Sequence, residues 1–86
     1  MSTGETIVAR LKEAFPDVRL TLNDARGTGD YWELAIATDA FKGLSRVKKH
    51  QAVYKPLRDL MDSNVIHALK IDTYSLEQWA EKEKDA

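Results

Sequence analysis

Hydrophobic positions recur with two different periods along this chain, and the change of period separates its helices from its strands. Near the start, Ile7 and Leu11 lie one helical turn apart. The preceding residues 2–5 read STGE, a hydroxyl three positions before a carboxylate, which is the pattern of a helix capping box. A first helix is therefore predicted, and Pro16 ends it because the residue before a proline is pushed towards extended geometry.

Three stretches of alternating apolar and polar residues predict short strands. The first covers residues 18–23 and the second residues 31–37. The link between them is short and contains glycine, which favours an antiparallel hairpin. The third strand covers residues 65–72 and places His67 on the same face as Leu69.

The longest apolar stripe predicts a central helix with Ser45 as its N-cap. Pro56 interrupts it, because proline lacks an N–H donor and disfavours helical geometry at Lys55. We expect either a kink there or two abutting helices, the second starting at Pro56, and we expect residues 62–64 to end the segment. The stripe consists of Val47, His50, Tyr54, Leu57 and Met61.

A second capping box, formed by Ser75 and Gln78, predicts a last helix. The order is then helix, strand, strand, helix (with or without a break), strand, helix. This order predicts an α+β fold in which the helices pack on one face of a three-stranded sheet. We expect a single domain over residues 1–80 and a charged, frayed tail over residues 81–86.

Composition narrows the possible functions. The chain has 86 residues and a net charge of −1, enough for one modest core but not for a deep catalytic cleft as well. Zero cysteines exclude a disulfide framework, and no leader or membrane-spanning apolar run is visible. We expect a location in the cytoplasm or an organelle interior, and a monomer when the chain is alone. No nucleophile elbow, phosphate-binding glycine loop or HExxH motif occurs, so we expect no enzymatic activity.

The central helix is basic. Residues 40–58 contain lysines and arginines but no acidic residue. Arg46 and Lys49 are three positions apart and so share one helical face, where they can meet phosphates or an acidic partner. The same charges are equally typical of a solvated helix surface. Lys42 and Lys48 belong to the same basic stretch.

Two histidines are candidates for metal ligation, because neutral imidazole binds zinc, copper and iron. His67 lies in the third predicted strand, where a lone histidine is more often bonded to nearby backbone. His50 lies on the apolar stripe, where a half-buried structural side chain is expected. No fixed spacing links the two, so a two-histidine site has little support.

Three segments resemble the BolA family, and the resemblance covers nearly the whole domain, from the first helix to Trp79. Its most specific features are the Phe-x-Gly-x-Ser-Arg-Val entry to the central helix, the His-Ala-Leu strand, and the Thr-Tyr pair followed by Trp79. The segments read FKGLSRVKKHQAVY (residues 41–54), VIHAL (residues 65–69) and TYSLEQW (residues 73–79).

The resemblance implies a fold like a type II KH domain and an adaptor that binds a monothiol glutaredoxin in iron–sulfur trafficking or iron sensing. In that family the heterodimer of a BolA-like chain and a glutaredoxin can hold a [2Fe–2S] cluster. The glutaredoxin and glutathione supply thiolates, and the BolA-like chain supplies a histidine at the position of His67. The isolated chain is expected to carry no cofactor. Arg46, Lys48 and Lys49 are the expected docking residues, and His50 is a structural or rim contact.

One loop departs from the family pattern. Many members carry a second His or Cys just before the second strand, whereas the loop here is residues 27–31 and Tyr31 takes that position. Tyr31 or Asp30 could offer oxygen, which suits iron–sulfur iron less well than nitrogen or sulfur. Partnership with a glutaredoxin is therefore better supported than a stably shared cluster.

The alternative function is a DNA-binding transcriptional regulator. KH domains clamp single strands with a GXXG loop, but residues 54–57 read YKPL and contain no glycine, which argues against RNA clamping of that type. DNA contact by the basic stretch stays open, and its affinity would fall steeply with salt. The residues for such contact are Lys42, Arg46, Lys48 and Lys49.

Overall fold

The structure, a computed structural model, describes residues 2 to 84. Helices and strands follow one another in the order expected from the hydrophobic pattern. Single-turn 3-10 helices lie at Asp39–Phe41 and Lys55–Leu57. The main elements are α1 (Thr3–Ala14), β1 (Arg19–Asp24), β2 (Tyr31–Ala37), α2 (Arg46–Tyr54), α3 (Arg58–Asp62), β3 (Ala68–Tyr74) and α4 (Leu76–Lys84).

Both predicted capping boxes are confirmed. At α1, the Glu5 N–H donates to the Ser2 hydroxyl at 3.2 Å, and the Ser2 N–H donates back to the Glu5 carboxylate at 3.3 Å. At α4, the Gln78 N–H donates to the Ser75 hydroxyl at 3.0 Å, and the Ser75 N–H donates to the Gln78 side chain at 2.8 Å. These bonds satisfy donors that the first turn of each helix would otherwise leave free.

The three strands form one mixed sheet in the order β1-β2-β3. β1 and β2 are antiparallel, as the hairpin prediction requires, with Leu22 opposite Leu34. β2 and β3 are parallel, with Leu34 opposite Ile71. The connection between them passes through α2 and α3, because parallel neighbours need a long crossover.

The core lies between the helices and one face of the sheet, which confirms the α+β prediction. Polar residues of the other face, such as Glu33 and Lys70, are exposed. No helix within residues 2–84 is long and apolar enough to span a membrane. The buried core cluster comprises Ile7, Leu11, Phe15, Leu34, Ile36, Phe41, Val53, Leu57, Ile66 and Ile71.

The third strand begins later and ends later than predicted, at Ala68–Tyr74 rather than residues 65–72. The residues before it close a turn instead of pairing with β2. The Ile66 N–H donates to the Leu60 carbonyl at 3.0 Å, and Asn64 takes a positive φ of 62°. Ile66 is also buried, so tertiary packing competes successfully with the alternating pattern.

The central segment divides into two helices at the proline, as one of the two predicted alternatives has it, but the second helix does not start at Pro56. A 3-10 turn separates α2 from α3, which begins at Arg58, and Lys55 keeps helical angles. The Arg58 N–H donates to the Lys55 carbonyl, a bond that needs no donor from the proline. This turn also places Leu57 in the core, fully buried.

The last helix runs further than predicted. It continues to Lys84, into the segment expected to be a frayed tail. The Trp79 indole N–H donates to the Glu83 carboxylate at 2.7 Å, one turn along the helix. Because Trp79 is buried, this bond ties the end of the helix to the domain. Residues 85 and 86 of the predicted tail lie outside the described residues.

Candidate functional site

His67 immediately precedes β3 and its side chain is exposed. Its position therefore differs from the prediction, which placed it within the strand on the buried face of Leu69. Its backbone is nevertheless held, because the His67 N–H donates to the Asp30 carbonyl at 2.7 Å and the Ala68 N–H donates to the same oxygen at 3.2 Å. The imidazole is thus presented to solvent from a fixed point of the sheet.

The loop before β2 lies beside this histidine. The ring centroids of Tyr31 and His67 are 5.0 Å apart, with an interplanar angle of 40°. The guanidinium carbon of Arg26 lies 3.7 Å from the centroid of the same tyrosine ring. The structure therefore places Tyr31 beside His67. It adds Arg26, which no sequence pattern had singled out.

Backbone geometry and side-chain bonds hold this loop in place. Gly27 and Gly29 have positive φ angles of 71° and 79°, which residues with a side chain rarely adopt. The Gly29 N–H donates to the Asp24 carboxylate at 2.9 Å, and the Trp32 indole N–H donates to the Gly29 carbonyl at 3.0 Å. Asp30 accepts a hydrogen bond from the Thr28 hydroxyl. These bonds fix the start of β2, and with it the Tyr31 ring.

The donor atoms at this site suit a shared metal group rather than one held by this chain alone. Within the described residues, no three His, Cys, Asp or Glu side chains are grouped closely enough to hold a metal ion. The loop and His67 together offer one imidazole, the Tyr31 phenol and the Asp30 carboxylate, and the chain has zero cysteines. An iron–sulfur cluster at His67 therefore fits only if another molecule supplies the remaining ligands.

The basic residues of α2 form a second candidate surface. Arg46, Lys49 and His50 border a cavity of about 370 Å³, opposite the end of β3. Arg46 is exposed, whereas Lys49 and His50 are half-buried, which agrees with the half-buried side chain expected for His50. Lys48 is exposed and does not border this cavity. The structure thus brings Arg46, Lys49 and His50 together and leaves Lys48 outside the cavity.

These cations differ in whether an acidic neighbour balances them. Lys42 pairs with Asp39 across 3.9 Å. In contrast, Arg46, Lys48 and Lys49 form no ion pair with any residue between 2 and 84. In a chain of net charge −1, a cluster of unbalanced cations is available to an external anion.

The two histidines lie at different ends of β3. His50 borders a cavity formed by residues 71–74, whereas His67 precedes Ala68, the first residue of the strand. Three strand residues span about 10 Å. The structure therefore assigns His50 to the basic surface and His67 to the Tyr31 loop.

The turn between α2 and α3 is packed rather than open. The Arg10 guanidinium donates to the Pro56 carbonyl at 3.2 Å and forms two bonds with the Asp59 carboxylate, at 2.6 and 3.0 Å. The hydrogen bond from Arg10 holds the pKa of Asp59 below its usual value. A GXXG loop leaves its backbone free to approach phosphates, and this turn does not.

The α-β-β-α-α-β-α order, with its mixed sheet, defines a KH-like domain of the type II class. The family model for BolA-like proteins matches residues 11–78, and the chain belongs to this family. The match includes both candidate surfaces.

Named relatives of this chain fall into different functional classes. The acid stress protein IbaG of Escherichia coli strain K12 is 40% identical over 67% of this chain and 69% of its own. The DNA-binding transcriptional regulator BolA of Vibrio cholerae is 27% identical over 95% of this chain and 83% of its own. Among solved structures, the BolA domain of SufE1 from Arabidopsis thaliana has a TM-score of 0.79 and 31% identity. That alignment covers 91% of this chain and 96% of the domain.

Proposed function

We propose that this protein is a non-enzymatic adaptor that binds a monothiol glutaredoxin and contributes His67 to a [2Fe–2S] cluster passed through the complex. One observation carries the proposal: an exposed imidazole is anchored through its backbone to the Asp30 carbonyl, in a chain with zero cysteines. Such a chain can supply one nitrogen ligand, and its partner must supply the thiolates.

The two candidate surfaces have separate roles in this proposal. His67 offers its ring nitrogen, and Tyr31 restricts how that ring turns because the two rings are in contact. Arg46, Lys48 and Lys49 dock the glutaredoxin, with His50 at the rim of the same surface. The cluster is cargo, held by thiolates of glutaredoxin and glutathione on its other side.

Titration of this protein into a cluster-loaded monothiol glutaredoxin with glutathione tests the proposal. Visible circular dichroism reports the ligand environment of the iron. A new spectrum should develop up to equimolar protein and should be absent for His67→Ala. Lys70→Ala is the matched control, because it changes an exposed residue of β3 outside the docking surface and should leave the new spectrum intact.

Two outcomes would contradict this function. An unchanged spectrum with the wild-type protein would remove the shared cluster, and equal loss in His67→Ala and Lys70→Ala would remove the assignment to His67. Binding to apo-glutaredoxin, measured separately by calorimetry, then decides whether the adaptor function survives without a shared cluster.

DNA binding is the second candidate function, favoured by the unbalanced cations of α2 and by the V. cholerae relative. Changing Arg46 and Lys49 together to glutamate should abolish retention of a DNA duplex at low salt. His67→Ala should leave retention unchanged. Wild-type affinity should fall by at least about tenfold between low and physiological salt if several phosphates are contacted. Retention that survives the double change would exclude this surface.

A further inference from the structure

The cavity beside α2 runs along the open edge of the sheet. Four consecutive residues of β3 border it, namely Ile71, Asp72, Thr73 and Tyr74. Successive side chains of a strand point to opposite faces, so a cavity on one face would touch only alternate residues. Contact with all four indicates that the cavity follows the backbone edge. We call this cavity, with Arg46, Lys49 and His50 on its other wall, the β3 groove.

The backbone along this groove is available for pairing. β3 has β2 as its one neighbour in the sheet. Within residues 2–84, no backbone hydrogen bond joins residues 71–74 to a turn, loop or helix. An edge of this kind presents alternate N–H and C=O groups to any extended chain that lies beside it.

The opposite wall selects for negative charge. Arg46, Lys49 and His50 lie on one face of α2, and the described structure gives neither Arg46 nor Lys49 an acidic partner. Asp72 is the one acidic residue that borders the groove. An occupant with several acidic side chains and an uncharged or basic one near Asp72 would match this arrangement.

We propose that the β3 groove binds an extended acidic peptide segment of a partner protein, which adds to the sheet as a fourth strand. Strand addition uses backbone bonds for affinity and side-chain contacts for selectivity, and the groove offers both. The partner protein that carries the segment is the monothiol glutaredoxin, and in this one respect the inference rests on the proposed function.

The observations favour a peptide over a nucleic acid. Asp72 would repel a phosphate backbone that lies along the groove. Besides the half-buried imidazole of His50, the aromatic ring at the groove is that of Tyr74. The Tyr74 ring already packs edge-on against Trp79, with 5.9 Å between ring centroids, and its centroid lies 5.3 Å from the Lys82 ammonium. It is therefore poorly placed to stack on a base, which is how single strands bind sequence-tolerant sites.

Backbone NMR of the labelled protein tests the proposal with a blocked peptide of about six residues, the length of an ordinary strand, in which glutamate alternates with valine. Amide signals of residues 71–74 and of Arg46 and Lys49 should shift together. A peptide with lysine in place of glutamate tests the charge. A glutamate peptide with alternate backbone nitrogens methylated tests the strand pairing, because it keeps the charge and loses the donors.

A matched pair of variants locates the site. Changing Arg46 and Lys49 to glutamate should weaken peptide binding by about tenfold or more, because it removes one exposed and one half-buried cation from the groove. Changing Lys55 and Arg58 to glutamate alters the net charge equally at exposed positions outside the groove, and should leave the affinity within about twofold of wild type. Circular dichroism spectra and thermal melts check that both variants fold.

Each outcome of these experiments either supports strand addition at the β3 groove or overturns it. Selective binding of the unmethylated glutamate peptide at the groove supports strand addition. The proposal is overturned by no binding at about millimolar peptide, by equal binding of the lysine or methylated peptide, or by shifts confined to another surface. Tighter binding of an oligothymidylate at the same residues would also overturn it, in favour of a nucleic-acid surface. The assay contains neither glutaredoxin nor cluster, so His67→Ala should not alter peptide binding. The peptide result can therefore be interpreted even if the proposed function fails.

Discussion

The contact between Tyr31 and His67 should be measurable as a coupling energy in the folded protein. The Tyr31 ring has two neighbours. Its centroid lies 5.0 Å from the centroid of the His67 ring and 3.7 Å from the guanidinium carbon of Arg26. Tyr31→Leu keeps an apolar residue in β2 but removes both contacts. A double-mutant cycle with His67→Ala separates them, because the Arg26 contact is lost in both backgrounds and cancels.

The expected magnitudes follow from the two contacts. An aromatic pair is worth about 0.5–1.5 kcal/mol, and an exposed cation–π contact about 0.5–1 kcal/mol. Since His67 is exposed, the coupling should fall in the lower half of the aromatic range, about 0.5–1 kcal/mol. Tyr31→Leu alone should cost about 1–2 kcal/mol of the free energy of unfolding.

Urea unfolding of the four proteins, followed by circular dichroism, measures this coupling. With a slope of about 1 kcal/mol per molar for a small domain, the deviation from additivity corresponds to a midpoint difference of about 0.5–1 M. A cycle with His50→Ala in place of His67→Ala is the control and should be additive. Coupling below about 0.3 kcal/mol in the His67 cycle would refute the conclusion that Tyr31 steadies the imidazole.

Two further predictions concern the fold that supports the site. Leu57→Ala should lower the free energy of unfolding by about 2–5 kcal/mol, because Leu57 is fully buried. Val47→Ala, at a position 66% exposed, should change it by less than about 0.5 kcal/mol in the same urea assay. Similar losses in both variants would contradict the packed turn between α2 and α3. The hydrogen bond from the Thr38 hydroxyl, with a second from the Asp39 N–H, holds the pKa of Asp17 below its ordinary value of 3.8. A carboxyl whose pKa is lower in the folded state stabilises the protein fully above its unfolded pKa, and this stability is lost as the pH falls through the folded pKa. In thermal melts, Asp17→Asn should therefore reduce the loss of stability below about pH 4. An unchanged loss of stability in this variant would disprove the link to Asp17.

Local signals in the sequence were reliable where a bond is made within a few residues. Ser2 and Ser75 cap their helices through side chains three positions on, so the spacing alone contains the contact. Ser45 likewise accepts from the Lys48 N–H at 3.2 Å, as predicted for its N-cap role. The second strand also has the predicted bounds, at Tyr31–Ala37.

Predictions failed where a distant part of the chain supplied the deciding contact. The third strand starts at Ala68 because the carbonyls of Leu60 and Asp30 take the N–H groups of Ile66 and His67. Asp30 lies far from His67 in sequence, and the alternating pattern contains no trace of their bond. Arg26 was missed for a different reason: it lies in the turn just before Tyr31, but an arginine in a turn has no spacing that points to that ring.

By itself, the sequence determined the family, the order of elements, and the residue types available for chemistry: a basic helix, two histidines and zero cysteines. These depend on composition and on periods that each segment shows alone. Only the tertiary structure decided that His67 is exposed beside Tyr31, and that Arg46 and Lys49 face the open edge of β3. The order of strands in the sheet and the crossover through α2 and α3 set both arrangements, and they arise from burial of the common core rather than from any local pattern.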